Sequence, residues 1–96
     1  MKTSEKIIVW AENKNLLNPE NIKKQMLKLK EEVSELSVEI NENQTEKAIM
    51  ELGDCLVVLE ILASQLGTSA KHCKKLAYNK IKKRTGKTVN GQFIKD

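Results

Sequence analysis

Aromatic residues are scarce in this sequence of 96 residues, which contains one tryptophan, one tyrosine and one phenylalanine. Runs of β-branched residues are also few, whereas leucine, isoleucine, lysine and glutamate are plentiful. Such a composition favours helix over sheet. Since a chain of this length can bury only one small core, the sequence predicts a single all-α domain over residues 1–96.

Long apolar runs are also missing near the N-terminus. The stretch IIVWA contains only five apolar residues before charge returns, which is too short for a signal peptide or a membrane span. We therefore expect a cytoplasmic protein that does not associate with a membrane.

Cysteine and histidine are too few and too irregularly spaced to form a zinc site. Cys55 and Cys73 fall in helical patterns and are interpreted as small core residues of a protein in a reducing compartment. The single histidine, His72, lies among lysines and is interpreted as an exposed side chain.

Capping signals and apolar periodicity predict four helices. Thr3 or Ser4 is expected to cap the first helix. Asn18 followed by Pro19 is typical of a helix start, because proline has no N–H to leave unsatisfied in the first turn. The third helix is expected to end at Gly67, a residue that readily adopts the left-handed conformation after a helix. The expected helices are residues 4–13, 19–41, 46–66 and 69–84.

The C-terminal segment, residues 85–96, is polar and contains Asn90-Gly91 between short flanks with apolar residues. This dipeptide is typical of a tight β-hairpin turn. Alternatively, a terminal segment this polar is ordered only by contact with another subunit. The expected architecture is a four-helix bundle followed by a short extended or hairpin segment.

Charge is divided unevenly along the chain, although the net charge is only +4. Residues 31–60 contain nine acids and one base, whereas residues 68–96 contain nine bases and one acid. A basic tail is typical of a segment that binds nucleic acid or an anionic ligand. The two halves could also converge, with the acids holding a metal and the bases holding a phosphate.

The acids of the second and third helices occur in pairs three residues apart. Glu32 and Glu35 point the same way from the second helix, as do Glu51 and Asp54 from the third. The third helix is apolar around its circumference, which predicts that it is buried. A carboxylate ionised in a dry interior costs several kcal/mol unless it is paired or bound to metal. Glu51 and Asp54 therefore need a cation.

Two such pairs on packed antiparallel helices would form a cage of four carboxylates. Hard oxygen ligands in this number suit Mg²⁺, or Mn²⁺ as a substitute, better than zinc. A solvated face is the alternative for Glu32 and Glu35, as for most charge runs. It explains Glu51 and Asp54 less well, because a helix surrounded by apolar residues has no solvated face.

The fourth helix carries two cations that are expected to face inward. Lys80 and Arg84 fall on the same side as Cys73 and Ala77. They could clamp phosphate oxygens or form salt bridges to the acids. The adjacent Asn79 could hydrogen-bond a sugar or base.

Trp10 is the only indole in the chain. On an amphipathic helix it is interpreted as a core or interface residue, and stacking on a nucleobase is the alternative.

The acidic motifs EEVSEL and ELGD resemble the paired EExxE and ExxD motifs of the MazG-like all-α nucleotide pyrophosphohydrolases. That superfamily also includes dimeric dUTPases and phosphoribosyl-ATP pyrophosphohydrolases. The stretches WAENKNLL, LVVLEILASQLG, YNKIKKR and GKTVNGQFIKD are similar to short, single-domain members from phages and their bacterial hosts, so the resemblance covers nearly the whole chain. The segment TSAKHCKK departs from the pattern, because relatives often carry acids there.

The resemblance implies a helical bundle completed by a second subunit, as a dimer or tetramer. It implies a magnesium-dependent enzyme that cleaves a nucleoside triphosphate to a monophosphate and pyrophosphate. Glu31 or Glu35 would accept the proton of the attacking water. The implied magnesium ligands are Glu32, Glu35, Glu51 and Asp54, and the implied phosphate contacts are Lys80 and Arg84.

Two other classes of function stay open at this point. A non-catalytic nucleic-acid-binding or regulatory protein would use residues 71–87 as a basic surface. A purely structural helical module would bind neither metal nor nucleotide. Tight, salt-sensitive DNA binding without magnesium-dependent nucleotide hydrolysis would favour the nucleic-acid-binding class.

Overall fold

The structure is a computed structural model that describes all 96 residues. It confirms the prediction of a mostly helical protein with four helices and a C-terminal hairpin. The elements are α1 (Thr3–Asn13), a 3-10 turn (Pro19–Asn21), α2 (Ile22–Asn41), α3 (Thr45–Gln65), α4 (Ala70–Ile81), β1 (Gly86–Val89) and β2 (Gln92–Lys95). None of the helices combines the length and apolar character needed to cross a membrane.

Side-chain caps begin two of the helical segments, and the first of them, Asn18, is the cap that the sequence predicts. The Asn18 side chain accepts a hydrogen bond from the backbone N–H of Glu20 at 2.9 Å. Ser69 accepts one from the N–H of His72 at 3.1 Å, which caps α4. Each bond satisfies a backbone donor that has no partner within its own helix.

The prediction that Thr3 or Ser4 caps α1 is wrong. The cap position is occupied by Lys2, and no side chain caps this end. The Ser4 hydroxyl instead donates a 2.5 Å hydrogen bond to Oε2 of Glu60 on α3. This long-range bond ties the first turn of α1 to α3, so a tertiary partner replaces the expected local one.

Helix α4 ends at Ile81, three residues before the expected end at Arg84. The last turn is tightened, because the N–H groups of Lys83 and Arg84 donate to carbonyls three residues back, at Lys80 and Ile81. Such 3-10 bonds commonly close a helix.

Helices α2 and α3 form a helical hairpin that makes the most extensive contact in the chain, and α1 packs against α3. The loop between α2 and α3 contains Asn43 in a left-handed conformation with φ 56°, which asparagine tolerates better than most residues. The buried apolar residues are Ala11, Cys55, Val58, Ile61 and Ala63. Four of these five belong to α3, so this helix is the centre of the core.

Helix α3 is nevertheless not buried on all sides, contrary to the sequence prediction. One side remains exposed in the single chain, because α1, α2 and α4 do not cover it. The exposed apolar residues of this side recur every three to four positions and continue onto the neighbouring side of α2. We call this surface the apolar face; it consists of Met26, Val33, Ile40, Ile49, Leu52, Leu56, Leu59 and Leu66.

Helix α4 contacts α3 and leaves almost all of its own surface exposed. Ala70 is half-buried, but the expected inward positions Cys73, Ala77 and Ile81 are exposed. The interpretation of Cys73 as a core residue is therefore wrong, whereas Cys55 is buried as expected. His72 is exposed, as predicted.

The C-terminal hairpin forms as the Asn-Gly dipeptide predicts. Asn90 and Gly91 have φ angles of 51° and 81°, the two positive values that a tight type I′ turn requires. Strand β1 pairs antiparallel with β2, with Lys87 opposite Ile94 and Val89 opposite Gln92. Every residue of both strands is exposed.

Gln65 fastens the loop between α1 and α2 to the C-terminal end of α3. Its side-chain Nε2 donates to the backbone carbonyls of Leu16 at 3.3 Å and Asn18 at 3.1 Å. Gln65 itself is only 5% exposed. Because Leu16 also lines the pocket beside Trp10, this contact helps to fix one wall of that pocket.

Gln65→Ala is expected to lower the free energy of unfolding by about 1–3 kcal/mol, because two part-buried carbonyls lose their donor. Urea denaturation followed by circular dichroism measures the change. Gln44→Ala is the control, because Gln44 is exposed and makes no side-chain capping bond. Equal unfolding midpoints for the two variants would contradict the role assigned to Gln65.

Candidate metal centre

Three carboxylates from two helices meet at the contact between α2 and α3. Glu32 and Glu35 lie one turn apart on α2, and Glu51 approaches them from α3. One carboxylate oxygen from each residue lies within 4.8 Å of the others. Glu32 and Glu51 are each only 7% exposed, whereas Glu35 is exposed to solvent. The spacing of acids in the sequence therefore corresponds to a real cluster, which we call the carboxylate cluster.

Asp54 lies at the edge of this cluster rather than within it. It is exposed and follows Glu51 by almost one helical turn. It lines the same pocket as Glu32. The four-carboxylate cage expected from the sequence is thus three close carboxylates with a fourth acid on the adjoining wall.

Glu31 points away from the carboxylate cluster. Its side chain is 68% exposed, and its Oε2 atom lies 3.8 Å from Nζ of Lys28. The adjacent Glu32 is buried instead, because consecutive helix positions differ by about 100° in direction. Of the two acids in the EE pair, only the second reaches α3.

Lys28 is part of the site although the sequence reasoning did not single it out. Its Nζ atom lies 3.1 Å from Oε1 of Glu32. This hydrogen bond raises the pKa of Lys28, and it contributes to a lowered pKa for Glu32. The i, i+4 spacing of the two residues was the available signal.

Glu51 has the most perturbed acid–base behaviour in the site. Hydrogen bonding to Glu32, burial and hydrogen bonding to Glu35 raise the pKa of Glu51 to about 8. The protonated Glu51 donates to the Glu32 carboxylate, and this bond is the main reason that the pKa of Glu32 is lowered. The Oε1 atom of Glu51 is buried and has no hydrogen-bond partner. The buried pair therefore holds a proton near neutral pH in the place where a cation would otherwise balance the charge.

A pocket of about 380 Å³ adjoins the carboxylate cluster. Trp10 forms part of one wall, and apolar residues of α3 form the base. Gln25, which the sequence reasoning missed, contributes a buried side-chain oxygen that has no partner. The lining residues are Trp10, Leu16, Gln25, Lys28, Glu32, Asp54, Val57, Val58 and Ile61. A flat aromatic wall beside a polar amide suits a planar ligand with hydrogen-bonding edges.

Lys80, Arg84 and Asn79 are not brought to the carboxylate cluster within the single chain. All three are exposed, none lines the pocket beside Trp10, and neither cation forms a salt bridge. The inward orientation expected for Lys80 and Arg84 is not observed. The reason is that α4 packs mainly against α3 and makes no extensive contact with α2.

The fold and the carboxylate cluster define an all-α domain with an acidic centre between two antiparallel helices. Residues 20–89 match the family model described as the MazG nucleotide pyrophosphohydrolase domain. The chain therefore belongs to the MazG nucleotide pyrophosphohydrolase family, as the resemblance of its acidic motifs predicts. The family is described by its nucleotide pyrophosphohydrolase activity.

A relative of this chain occurs in Haemophilus phage HP1 (strain HP1c1), where it is described as an uncharacterized 18.2 kDa protein in the rep-hol intergenic region. The two sequences are 41% identical over 56 residues, which cover 58% of this chain and 34% of the phage protein. The chain thus matches about a third of the length of that relative. No solved structure matches the chain.

The metal-free protein is expected to lose stability as pH rises from about 4.5 to about 8. In this window folded Glu51 retains a proton that the unfolded chain releases, so the folded state binds more protons. Glu51→Gln removes this titration while keeping a neutral side chain of the same shape. Thermal unfolding in EDTA should therefore give wild-type melting temperatures that decline more steeply with pH than those of Glu51→Gln.

The lowered pKa of Glu32 acts in the opposite direction, since its contribution is lost only as pH falls below about 4.5. This loss of stability therefore falls below the pH range of the experiment, which is pH 5 to 8.5. Parallel melting curves for the wild type and Glu51→Gln between pH 5 and 8.5 would contradict the raised pKa of Glu51.

Proposed function

We propose that this protein is a magnesium-dependent nucleoside triphosphate pyrophosphohydrolase of the cytoplasm. It would cleave the bond between the α and β phosphates of a ribo- or deoxynucleotide and release a monophosphate and pyrophosphate. Membership of the MazG family supports the reaction class. The observation that carries the proposal is the meeting of Glu32, Glu35 and Glu51 within 4.8 Å, beside a pocket with an aromatic wall.

The residues of the carboxylate cluster fit a hard divalent cation. Glu32, Glu35 and Glu51 offer oxygen ligands, and the buried Oε1 atom of Glu51 has no other partner. Asp54, on the adjoining wall, is the proposed fourth ligand. Sites made only of oxygen suit Mg²⁺, with Mn²⁺ as a substitute. When bound, the cation supplies positive charge to the phosphates and makes a nearby water more acidic.

Glu35 is a better candidate than Glu31 for the general base that accepts a proton from the attacking water. Glu35 belongs to the carboxylate cluster and is exposed, so water can reach it. Glu31 lies outside the cluster and pairs with Lys28. Because a general base must lie within hydrogen-bonding distance of the proton it removes, Glu31 is assigned an accessory role.

Trp10 is proposed to stack on the nucleobase. It is 49% exposed and lines the pocket that also contains Glu32 and Asp54. Gln25 is positioned to hydrogen-bond a polar edge of the same base, because its free side-chain oxygen is buried in that pocket. With the phosphates directed to the carboxylate cluster, both ends of a nucleotide would have a chemically suitable surface.

The phosphate contacts Lys80 and Arg84, and the nucleoside contact Asn79, are proposed to act on the site of a second copy of the chain. All three are exposed and lie away from the carboxylate cluster of their own chain. The apolar face supports such an assembly, because contiguous exposed apolar surface of this kind marks an interaction site. We propose a homo-oligomer, a dimer or tetramer, in which this face is covered.

Glu51→Gln is expected to reduce magnesium-dependent pyrophosphate release by about a hundredfold or more, because it removes a charged ligand of the cation. The assay measures pyrophosphate from a panel of ribo- and deoxynucleoside triphosphates with Mg²⁺. Glu46→Gln is the control, since it makes the same change at an exposed position in the first turn of the same helix.

Circular dichroism should show that both variants keep their helical content. Unchanged turnover in Glu51→Gln would exclude the proposed mechanism. Absence of pyrophosphate release by the wild type across the whole panel would reject the enzyme assignment.

Trp10→Ala is expected to raise KM more than it lowers kcat, because the stacking contact is the same in the ground state and the transition state. Stacking of a base on an aromatic side chain contributes about 1–3 kcal/mol, so KM should rise roughly tenfold or more. Since Trp10 is the only tryptophan, its fluorescence reports binding directly. A non-hydrolysable triphosphate with Mg²⁺ should change the emission, and unaltered emission at saturating ligand would contradict the stacking role.

A further inference from the structure

The C-terminal hairpin makes no extensive contact with another element of its own chain. Its two strands contact each other, and all eight of their residues are exposed. Val89, Phe93 and Ile94 contribute apolar side chains to its surface. An isolated two-stranded hairpin is only marginally stable in water. A surface outside the chain is therefore needed to hold this element in place.

A groove with matching chemistry lies where α2 connects to α3. It has a volume of about 380 Å³. One acid, Glu39, lines this groove, and its Oε2 atom is buried without a hydrogen-bond partner. The apolar residues of the groove are Leu36, Ile40, Ala48, Ile49 and Leu52. Such a groove fits a surface that presents apolar side chains next to one cation.

One face of the hairpin has this composition. Side chains alternate along a strand, and residues directly opposite each other on paired strands share a face. Lys87 lies opposite Ile94, and Val89 lies two residues further along β1. These three side chains therefore share one face, with two apolar groups beside a single positive charge.

The distribution of charge selects the orientation in which two copies would meet. Residues 35–46, around the α2–α3 connection, contain four acids and no base, whereas residues 80–95 contain six bases and no acid. The 21 residues of α3 place the α2–α3 connection roughly 30 Å from the start of α4, the helix that leads to the basic segment. Two copies packed antiparallel through the apolar face would place each basic end on an acidic end. A parallel pair would instead bring like charges together, which opposes association.

We propose that the hairpin of one copy docks into the groove at the α2–α3 connection of a second copy, with Lys87 against Glu39 and with Val89 and Ile94 against Ile40 and Ile49. The contact is made twice in a two-fold symmetric dimer. This inference deepens the proposed function, because it rests on the second copy invoked there and specifies which surfaces hold it. It also places Lys80 and Arg84, which precede the hairpin, on the acidic side of the partner.

Charge reversal tests the pairing in the full-length protein. Lys87→Glu and Glu39→Lys are each expected to raise the dimer dissociation constant by about tenfold or more, because like charges then meet in a partly buried contact. The double variant should restore the dissociation constant to within about threefold of the wild type. Sedimentation velocity over a range of protein concentrations gives these constants. Lys14→Glu is the control, because it makes the same change at the end of α1, away from the apolar face.

Removal of residues 86–96 is a second test. Helical circular dichroism should persist, because the hairpin makes no extensive contact with the helices. The dimer should weaken by at least as much as in Lys87→Glu. A wild-type protein that is monomeric at all concentrations, or a dimer that neither the deletion nor the single reversals affect, would overturn the proposal. Failure of the double variant to recover would overturn the Lys87–Glu39 pairing.

A nucleic acid is the competing occupant of the basic end. Titration with duplex DNA and with single-stranded RNA at low and moderate salt distinguishes it. Tight binding that Lys87→Glu abolishes, together with an unaltered dimer, would overturn the docking proposal. Pyrophosphate release, measured on the same samples, separates this question from the enzymatic one. A monomer that hydrolyses triphosphates rejects the docking and the phosphate contacts from a second copy but leaves the hydrolase assignment standing, and a charge-restored dimer without hydrolysis rejects only the hydrolase assignment.

Discussion

Repulsion among the carboxylates between α2 and α3 is the constraint on which the rest of the structure depends. Glu51 is buried against Glu32 and Glu35, where three negative charges cannot be held together without compensation. In the metal-free chain the compensation is a proton, and the pKa of Glu51 rises to about 8 as a consequence. Lys28 offsets part of the charge on Glu32. A divalent cation would replace the proton, so metal affinity and folding stability are linked through the same buried atoms.

The two faces of the α2–α3 pair have separate tasks. One face carries the carboxylate cluster, and α1 adds Trp10 to the wall of its pocket. The apolar face, about a third of a turn away on each helix, is exposed along α3 from Ile49 to Leu59. Five buried apolar residues make a small core for 96 residues, and burying the apolar face would add to it without disturbing the acids. Assembly can therefore compensate for the charge that the site keeps buried.

Helical periodicity correctly predicted the residues of the site that lie at the contact between α2 and α3. The positions of Glu32, Glu35 and Glu51 in the sequence were sufficient to predict that their carboxylates meet, because each helix fixes the direction of its own side chains. Periodicity does not identify the partner that a face will meet. The sequence therefore predicted the buried side of α3 but not its exposed side, and it predicted an inward face for α4 that is mostly exposed in the single chain. Gln25 and Gln65 were missed for the same reason, since long-range geometry gives them their roles.

The uneven charge of the chain follows from the chemistry proposed for it. A cluster of carboxylates repels a triphosphate, and an enclosed pocket strengthens that repulsion because water screens it less. The acids that would bind a cation thus require bases nearby if an anionic substrate is to approach. Within one chain, Lys28 is engaged with Glu32 and the basic residues of α4 lie elsewhere. In the proposed assembly a second copy would supply the bases and resolve this conflict, because folding would not have to bring the two charged regions of one chain together. A complete site would then be conditional on assembly, and an isolated chain would carry the proposed metal ligands without the cations that stabilise the phosphates.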